Sequence, residues 1–487
     1  MRIIGRQTEM KALAHVAASP RPEFIAVYGR RRVGKTYLIR EFFRDEFCFA
    51  FTGRSKATTE EQLAYFADAV KKHASVPDPT PQSWREAFLI LRAVIEADER
   101  PGKKVVFLDE MPWMATDGSG FLESLGHFWN SWAATRPDLL LIVCGSAASW
   151  MSDKLTDDTG GLHNRITGSL SLQPFTLAEC EELFDMLGVV LGRYQIIEAY
   201  MIFGGIPYYL QLFAAGASLA QNVDALCFAP QAPLRHEFHN LYASLFKDAG
   251  RHIAIVTALA GKARGMTRGE LIAASGLANG GRLTKTLADL DASGFIRSYQ
   301  PFGKKKRDSL YQLTDPFSLF AQRFMEDGTR KESRFWQNYS PTPMHAAWSG
   351  YAFEEVALLH IEQIRQSLGI SGVLTTFASW TGGAEDERAQ IDLVLDRNDR
   401  IVNLCEMKYS VGPLHVDAAL EGEILRKRSL FQVATRTRKA VHSTLVTTYD
   451  PPQTRHSGVF QSVVTMDDLF RPLRALVVEH HPSGRRA

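Results

Sequence analysis

The sequence predicts an α/β protein: a parallel sheet covered by helices, then a helical stretch, a three-helix module with a basic hairpin, and a last α/β region. Three observations carry this expectation. Short apolar runs alternate with longer helical patterns over residues 1–185, as in a parallel sheet packed on both faces. A glycine-rich loop lies between the first apolar run and the first long helix of that region. Late in the chain, "IVNLCEMKYS", Ile401 to Ser410, reads as a buried strand yet places Glu406 and Lys408 two residues apart, on one face. Charges on an apolar ribbon are costly unless paired or bound to something.

The chain has 487 residues, room for several domains. A net charge of +2 gives no overall field that would favour nucleic acid, so any such contact must come from local patches. Five cysteines, Cys48, Cys144, Cys180, Cys227 and Cys405, are scattered with no C-x-x-C pair, which suits reduced, packed thiols in a cytoplasmic protein rather than a disulfide framework or a zinc site. The opening "MRIIGRQTEM" has no long apolar stretch behind it, so no signal peptide is expected. No run approaches ~18 apolar residues, so no membrane span is expected.

In order, "FIAVYG", "FCFAF", "VVFLDE" and "LLLIVCGS" are the expected strands of residues 1–185. Residues 186–245 continue a helical pattern that begins at Leu177, with "LAECEELFDMLG" and "RYQIIEAYMIFG" each closed by Gly. Residues 246–325 hold three short helices and a hairpin. A linker is expected around Asp327 to Thr342, a further α/β region over 343–475, and a disordered tail, "HHPSGRRA".

"GRRRVGKT", Gly29 to Thr36, is G-x-x-x-x-G-K-[ST] between a strand and a helix. Gly29 and Gly34 let backbone N–H groups curl around phosphate, with Arg32 in the same loop, and the helix N-terminus adds its positive end. Lys35 is expected at the β/γ-phosphates of ATP and the Thr36 hydroxyl on Mg²⁺. "VVFLDE" ends in Asp109, expected to hold Mg²⁺ through water, and Glu110, expected to orient or deprotonate the attacking water. Ser146, closing "LLLIVCGS", stands either as a γ-phosphate sensor or as a plain turn serine.

"IIGRQTEMKAL", "VYGRRRVGKT", "VVFLDE" and "IVCGSAAS" together resemble the prokaryotic P-loop ATPase family first noted in archaea, grouped with AAA-like and STAND-type ATPases. The resemblance implies that Gly5, Arg6 and Glu9 lie near the adenine side. It also implies that "GGIPYYL" is the helical-lid motif, with Gly205 and Pro207 approaching the base. In "HNRITGS" the family's arginine position carries Asn164, which leaves Arg165 as a sensor or finger arginine, or a surface salt-bridge partner.

"RHIAIVTALAGKA", "TRGELIAASG" and "GGRLTKTLADLDASGFI" read as three helices, followed by a hairpin whose tip, Lys304 to Arg307, is four cations in a row. That set reads as a winged helix-turn-helix, with Arg282 and Lys285 on the recognition helix and the wing at phosphates. The alternative is a protein-contact module, and the two aspartates of "LTKTLADLDASG" weaken the case for phosphate contact.

"QIDLVLDRNDRIVNLCEMKYS" reads as a hairpin centred near Asn398, with 392 facing 404 and 390 facing 406. Gln390, Asp392, Glu406 and Lys408 then share one face, and two carboxylates that repel there are relieved by a divalent ion such as Mg²⁺. Glu354 and Glu355 add acid from the helix "GYAFEEVALLHIEQI". The set Glu354, Asp392, Glu406 and Lys408 resembles the PD-(D/E)XK nuclease superfamily, with Ile391 where the superfamily has Pro, and the segment looks like the nuclease-like domain often fused to this ATPase family. The resemblance implies Asp392 and Glu406 as metal ligands, with Glu354 and Lys408 completing a catalytic set.

The function expected is an ATP-hydrolysing P-loop protein, with lid, winged helix and restriction-endonuclease-like domain, acting on DNA. The alternative is a STAND-type regulatory switch whose last domain is a non-catalytic platform for a regulatory protein. A DNA-binding regulator is a weaker third reading. Arg165 acting across a subunit boundary would imply a homo-oligomer.

Overall fold

The computed structural model describes residues 2–44, 46–74, 79–154, 162, 165–326, 332, 334–339, 342–382 and 389–473. The expected tail and parts of the expected linker lie outside them. The chain divides into two compact units, Met1–Glu355 and Val356–Ala487, the division falling within helix Pro343–Leu359. Among the described residues no helix is long and apolar enough to cross a membrane.

The first unit is built on a five-stranded parallel sheet. Its strands are β1 (Glu23–Gly29), β2 (Phe49–Thr52), β3 (Lys104–Asp109), β4 (Leu139–Gly145) and β5 (Gly168–Leu172), in the order β2-β3-β4-β1-β5. All seven residues of β4 are buried, which is why its sequence is continuous apolar rather than alternating: helices cover both faces. One side is filled by aromatic rings, with Phe24, Phe49, Phe66, Trp84 and Phe121 in one cluster. The order brings the carboxyl ends of β1, β4 and β3 side by side, the place where open parallel sheets bind ligands.

Local chemistry sets the helix starts. Thr176 and Glu179 form a capping box before helix Leu177–Leu187, and Pro207 opens the short helix Pro207–Leu210, where its missing N–H costs nothing. Gly205 has a packing reason: a Cβ there would lie 1.9 Å from the Phe175 carbonyl oxygen, and the Phe175 N–H donates to the Gly205 carbonyl at 2.6 Å.

Helices Ala249–Ala260, Arg268–Ser275 and Gly281–Ala292 follow, with a small antiparallel sheet of β6 (Met266–Thr267), β8 (Leu310–Leu313) and β7 (Ile296–Tyr299). At the hairpin tip Lys304, Lys305 and Arg307 are exposed. On helix Gly281–Ala292, Arg282 and Lys285 are exposed, while the Ser149 hydroxyl donates to Asp289 at 2.8 Å.

Part of the expected linker is core. Residues Phe335–Tyr339 form a helix, and Trp336 is buried among Phe320, Phe324 and Trp348. The spacing of Phe335, Trp336 and Tyr339 is too short for a periodicity to register; only the facing rings reveal it.

The second unit holds β9 (Thr375–Gly382), β10 (Ala389–Arg397), β11 (Ile401–Lys408), β12 (Ala440–Thr447) and β13 (Ser462–Val464), in the order β13-β12-β11-β10-β9. β9, β10 and β11 are antiparallel; β12 and β13 add in parallel, and helix Ala418–Thr435 makes the crossover from β11 to β12. The hairpin register corrects the expected one. Leu393 faces Cys405 and Val394 faces Leu404, because the turn is centred on Asp399, with Arg400 left-handed at φ 67°, rather than on Asn398. A shift of two residues keeps every side chain on its expected face, and one step further along Asp392 comes level with Glu406.

In the first unit the phosphate loop is tied to the segment after the hairpin. Arg30 pairs with Asp315, their side chains 5% and 0% exposed, and Arg30 also lies over the Phe295 ring at 4.7 Å. Asp315 additionally caps helix Pro316–Phe324 through the Ser318 N–H at 2.9 Å. Removing one partner of a buried pair strands the other charge, so Asp315→Ala is expected to cost about 3–5 kcal/mol in urea unfolding. The joint replacement Arg30→Met with Asp315→Leu is expected to cost less, since no charge is left stranded.

Candidate functional site

Two clusters of charged side chains stand out, one in each unit. In the first, β1 delivers the loop Gly29 to Thr36 at its carboxyl end. Gly29 is needed by close approach: it has φ 143°, and a Cβ would meet the Leu172 carbonyl oxygen at 2.3 Å, because β1 and β5 pair there. Gly34, left-handed at φ 91°, caps helix Lys35–Phe42. Lys35 is buried and its ammonium donates to the carbonyls of Gly29 and Arg30, both at 2.9 Å. Burial holds it below the ordinary lysine range, against the attraction of Glu110 and Asp109. A phosphate would replace two neutral carbonyls with a charged acceptor, the stronger partner.

The Thr36 hydroxyl donates to Asp109 at 2.9 Å, so a hydroxyl and a carboxylate converge beside the loop. This hard-oxygen pair fits Mg²⁺ with its waters. Glu110, next in sequence, is left-handed at φ 51°, an unusual conformation for a side-chain-bearing residue that recurs at functional sites. Burial pushes its carboxyl above the usual range; Lys35 opposes this, Asp109 adds to it, and hydrogen bonds from Ser146 oppose it. The Ser146 hydroxyl donates to Glu110 at 2.9 Å. The Ser146 hydroxyl is thus engaged with the Glu110 carboxylate.

Arg32 is left-handed at φ 71°. Its guanidinium pairs with Glu237 at 2.5 Å and lies over Tyr208 at 4.1 Å. Tyr208 and Tyr209 follow Pro207, and the Tyr209 hydroxyl donates to Glu237 at 2.8 Å. The segment "GGIPYYL" thus meets the loop through Tyr208 and Arg32. Arg6 is buried; its guanidinium donates to the Val33 carbonyl at 3.1 Å and to Glu9 at 3.4 Å. Arg165 is exposed, its N–H donating to the Leu162 carbonyl at 3.0 Å; Asn164 lies outside the described residues.

In the second unit, β10 and β11 bring Gln390, Asp392, Glu406 and Lys408 together. The Gln390 amide donates to Asp392 at 2.7 Å, and Lys408 pairs with Glu406 Oε1 at 2.8 Å. Burial pushes Asp392 above the usual carboxylate range; the Gln390 hydrogen bond opposes this, nearby Glu406 adds to it, and Lys427 and Lys408 oppose it.

Lys427, on the crossover helix, had not been expected. It pairs with Glu406 Oε2 at 2.7 Å and with Glu423 at 2.8 Å. Burial alone would lower it, but the two glutamates outweigh that and hold it above the ordinary lysine range. The E-x-x-x-K spacing of 423 and 427 was readable as a helix pair; that the pair turns onto the sheet was not.

Glu354 lies in the first unit. Its neighbour Glu355 is buried and accepts a hydrogen bond from Gln312 on β8. Among the described residues no group of three or more His, Cys, Asp or Glu side chains is placed to hold a metal ion. The donor set around Asp392 and Glu406 therefore does not fit a divalent ion as it stands, since both Glu406 oxygens already face ammonium groups.

Residues 3–213 match the model of a family described as an ATPase domain predominantly from Archaea, and this part of the chain carries a domain of that family. An uncharacterized protein of Methanocaldococcus jannaschii is 24% identical over 420 residues, 83% of this chain and 87% of that protein. Among solved structures, a Walker-type ATPase of Pyrococcus abyssi aligns at 21% identity and TM-score 0.49, covering 66% of this chain and 96% of its own. The ORC2 protein of Aeropyrum pernix aligns at 13% and 0.43, covering 66% and 93%.

If Glu110 takes the proton of the attacking water, only its ionised form works. ATP turnover should then fall as pH drops through a value above the ordinary carboxylate value of 4.5. Glu110→Gln should remove about 10²-fold or more of the rate and abolish that acid limb. A steady-state pH profile of both proteins checks this.

Proposed function

We propose that the first unit binds and hydrolyses Mg-ATP, and that its nucleotide state governs the presentation of a DNA-directed nuclease-like second unit. The observation that carries the ATP reading is the convergence of Lys35, Thr36, Asp109 and Glu110 at the ends of adjacent strands. The loop amides and Lys35 would bind the phosphates. Thr36, with Asp109 through water, would hold Mg²⁺, which supplies charge neutralisation at the β- and γ-oxygens. Glu110, held by Ser146, orients the water and accepts its proton. Gly205 and Pro207 would face the base, and exposed Arg165 is open to a neighbouring copy.

For DNA, the three helices and small sheet over residues 246–325 are read as a winged helix. Its exposed Lys304, Lys305, Arg307, Arg282 and Lys285 would meet phosphates. Of the two aspartates that weaken this reading, Asp289 is engaged by Ser149, while Asp291 is exposed. The second unit is read as PD-(D/E)XK-like, supported by Asp392, Glu406 and Lys408 on one face of an antiparallel pair.

One observation favours the second reading, an ATP-dependent switch with a non-catalytic last domain: Glu406 is already satisfied by two lysines. Plasmid and linear DNA incubated with the protein, Mg²⁺ or Mn²⁺, with and without ATP, separate the two. Cleavage by the wild type, lost in Asp392→Ala and Lys408→Ala with ATP turnover intact, is the expected outcome. Intact DNA under every condition beside normal ATPase activity selects the switch.

A further inference from the structure

We infer that the Lys427 ammonium is the resident cation of the Asp392–Glu406 centre, and that a divalent ion enters there only by displacing it. This rests on the reading of that face as the centre of the second unit.

Glu406 lies between two ammonium groups, Lys408 on Oε1 at 2.8 Å and Lys427 on Oε2 at 2.7 Å. Lys427 is anchored from its own helix as well, by Glu423 at 2.8 Å. Its side chain is 14% exposed, against 36% for Lys408, so it is Lys427 that sits inside the cluster. Both Glu406 oxygens are thus taken by ammonium groups, so an ion that needs a Glu406 oxygen must displace a lysine. A divalent ion added to that set would leave excess positive charge in a partly buried site, which is costly. Once Lys427 leaves, Glu406 Oε2 and Glu423 lose their shared ammonium partner and can face an ion. The helix that carries Lys427 is also the crossover between β11 and β12, so a shift of that helix would expose or occupy the centre.

The test is Mn²⁺ binding to the full-length protein without nucleotide, by calorimetry or by the electron paramagnetic resonance of the free ion. Asp392→Asn, which leaves Thr36 and Asp109 intact, subtracts any ion held at the phosphate loop. Lys427→Met should bind Mn²⁺ at the Asp392-dependent site at least about tenfold more tightly than wild type, as expected when one adjacent like charge is removed. Lys427→Arg should not. Equal or weaker binding by a folded Lys427→Met protein overturns the inference.

A second measurement needs no variant. Acetic anhydride labelling of wild-type Lys427, read by mass spectrometry, should rise when Mn²⁺ saturates the Asp392-dependent site; unchanged labelling with the ion bound overturns it. DNA cleavage reports separately on the underlying reading. Tighter Mn²⁺ binding by Lys427→Met with no cleavage by any variant supports the inference and removes the nuclease. Cleavage by wild type with unchanged Mn²⁺ affinity does the reverse.

Discussion

Arg30 is the second residue of the phosphate loop, and its guanidinium is buried against Asp315, 285 residues later in the chain. A buried pair of this kind adds little net stability over an apolar replacement, but it cannot lose one member cheaply. Its effect is therefore constraint. The backbone of Arg30 receives Lys35, its side chain lies over Phe295 before β7, and Asp315 caps the helix that leads away from the small sheet. A change in the loop that moved Arg30 would have to move the three-helix module or break the pair. Arg32 makes a second, less buried tie of the same kind, to Glu237 and Tyr208. The loop and the segments that follow it are thus joined through two of its three arginines, Arg30 and Arg32.

The second unit meets a similar electrostatic problem differently. β10 and β11 put two carboxylates level with each other, and the fold answers with lysines rather than with a third acid. Lys408 comes from the same strand and is half-exposed; Lys427 comes from the crossover helix and is nearly enclosed. An internal ammonium is mobile on a flexible stem, so it can neutralise the acids at rest without closing the centre permanently. The ordinary cost of leaving acids unpaired is avoided, and access becomes a property of one side chain.

Much of this was legible in the chain. G-x-x-x-x-G-K-T needs only local geometry, because a strand, a tight loop and a helix N-terminus occur in sequence order. Asp109 and Glu110 end an apolar run, which marks a strand end at the sheet's carboxyl edge. The same-face placement of Asp392, Glu406 and Lys408 survived an error in the turn, since a two-residue slip leaves side-chain parity unchanged. Less was legible where contacts span the chain. Glu355 is separated from Gln312 by 43 residues, and no periodicity signals which of two adjacent glutamates turns inward. Nor could the sequence show that the Ser146 hydroxyl meets Glu110, 36 residues earlier in the chain.

By itself, then, the sequence determined the strand–loop–helix that holds Lys35 and Thr36, the parallel character of the first sheet, and the face shared by Asp392, Glu406 and Lys408. Each of these follows from short-range periodicity or backbone chemistry. Tertiary structure alone decided that Arg30 is committed to Asp315, that Trp336 belongs to a core rather than a linker, and that Lys427 enters the acid pair. Those are charge and packing choices among residues far apart in sequence, and they are made only when burial removes water as the alternative partner.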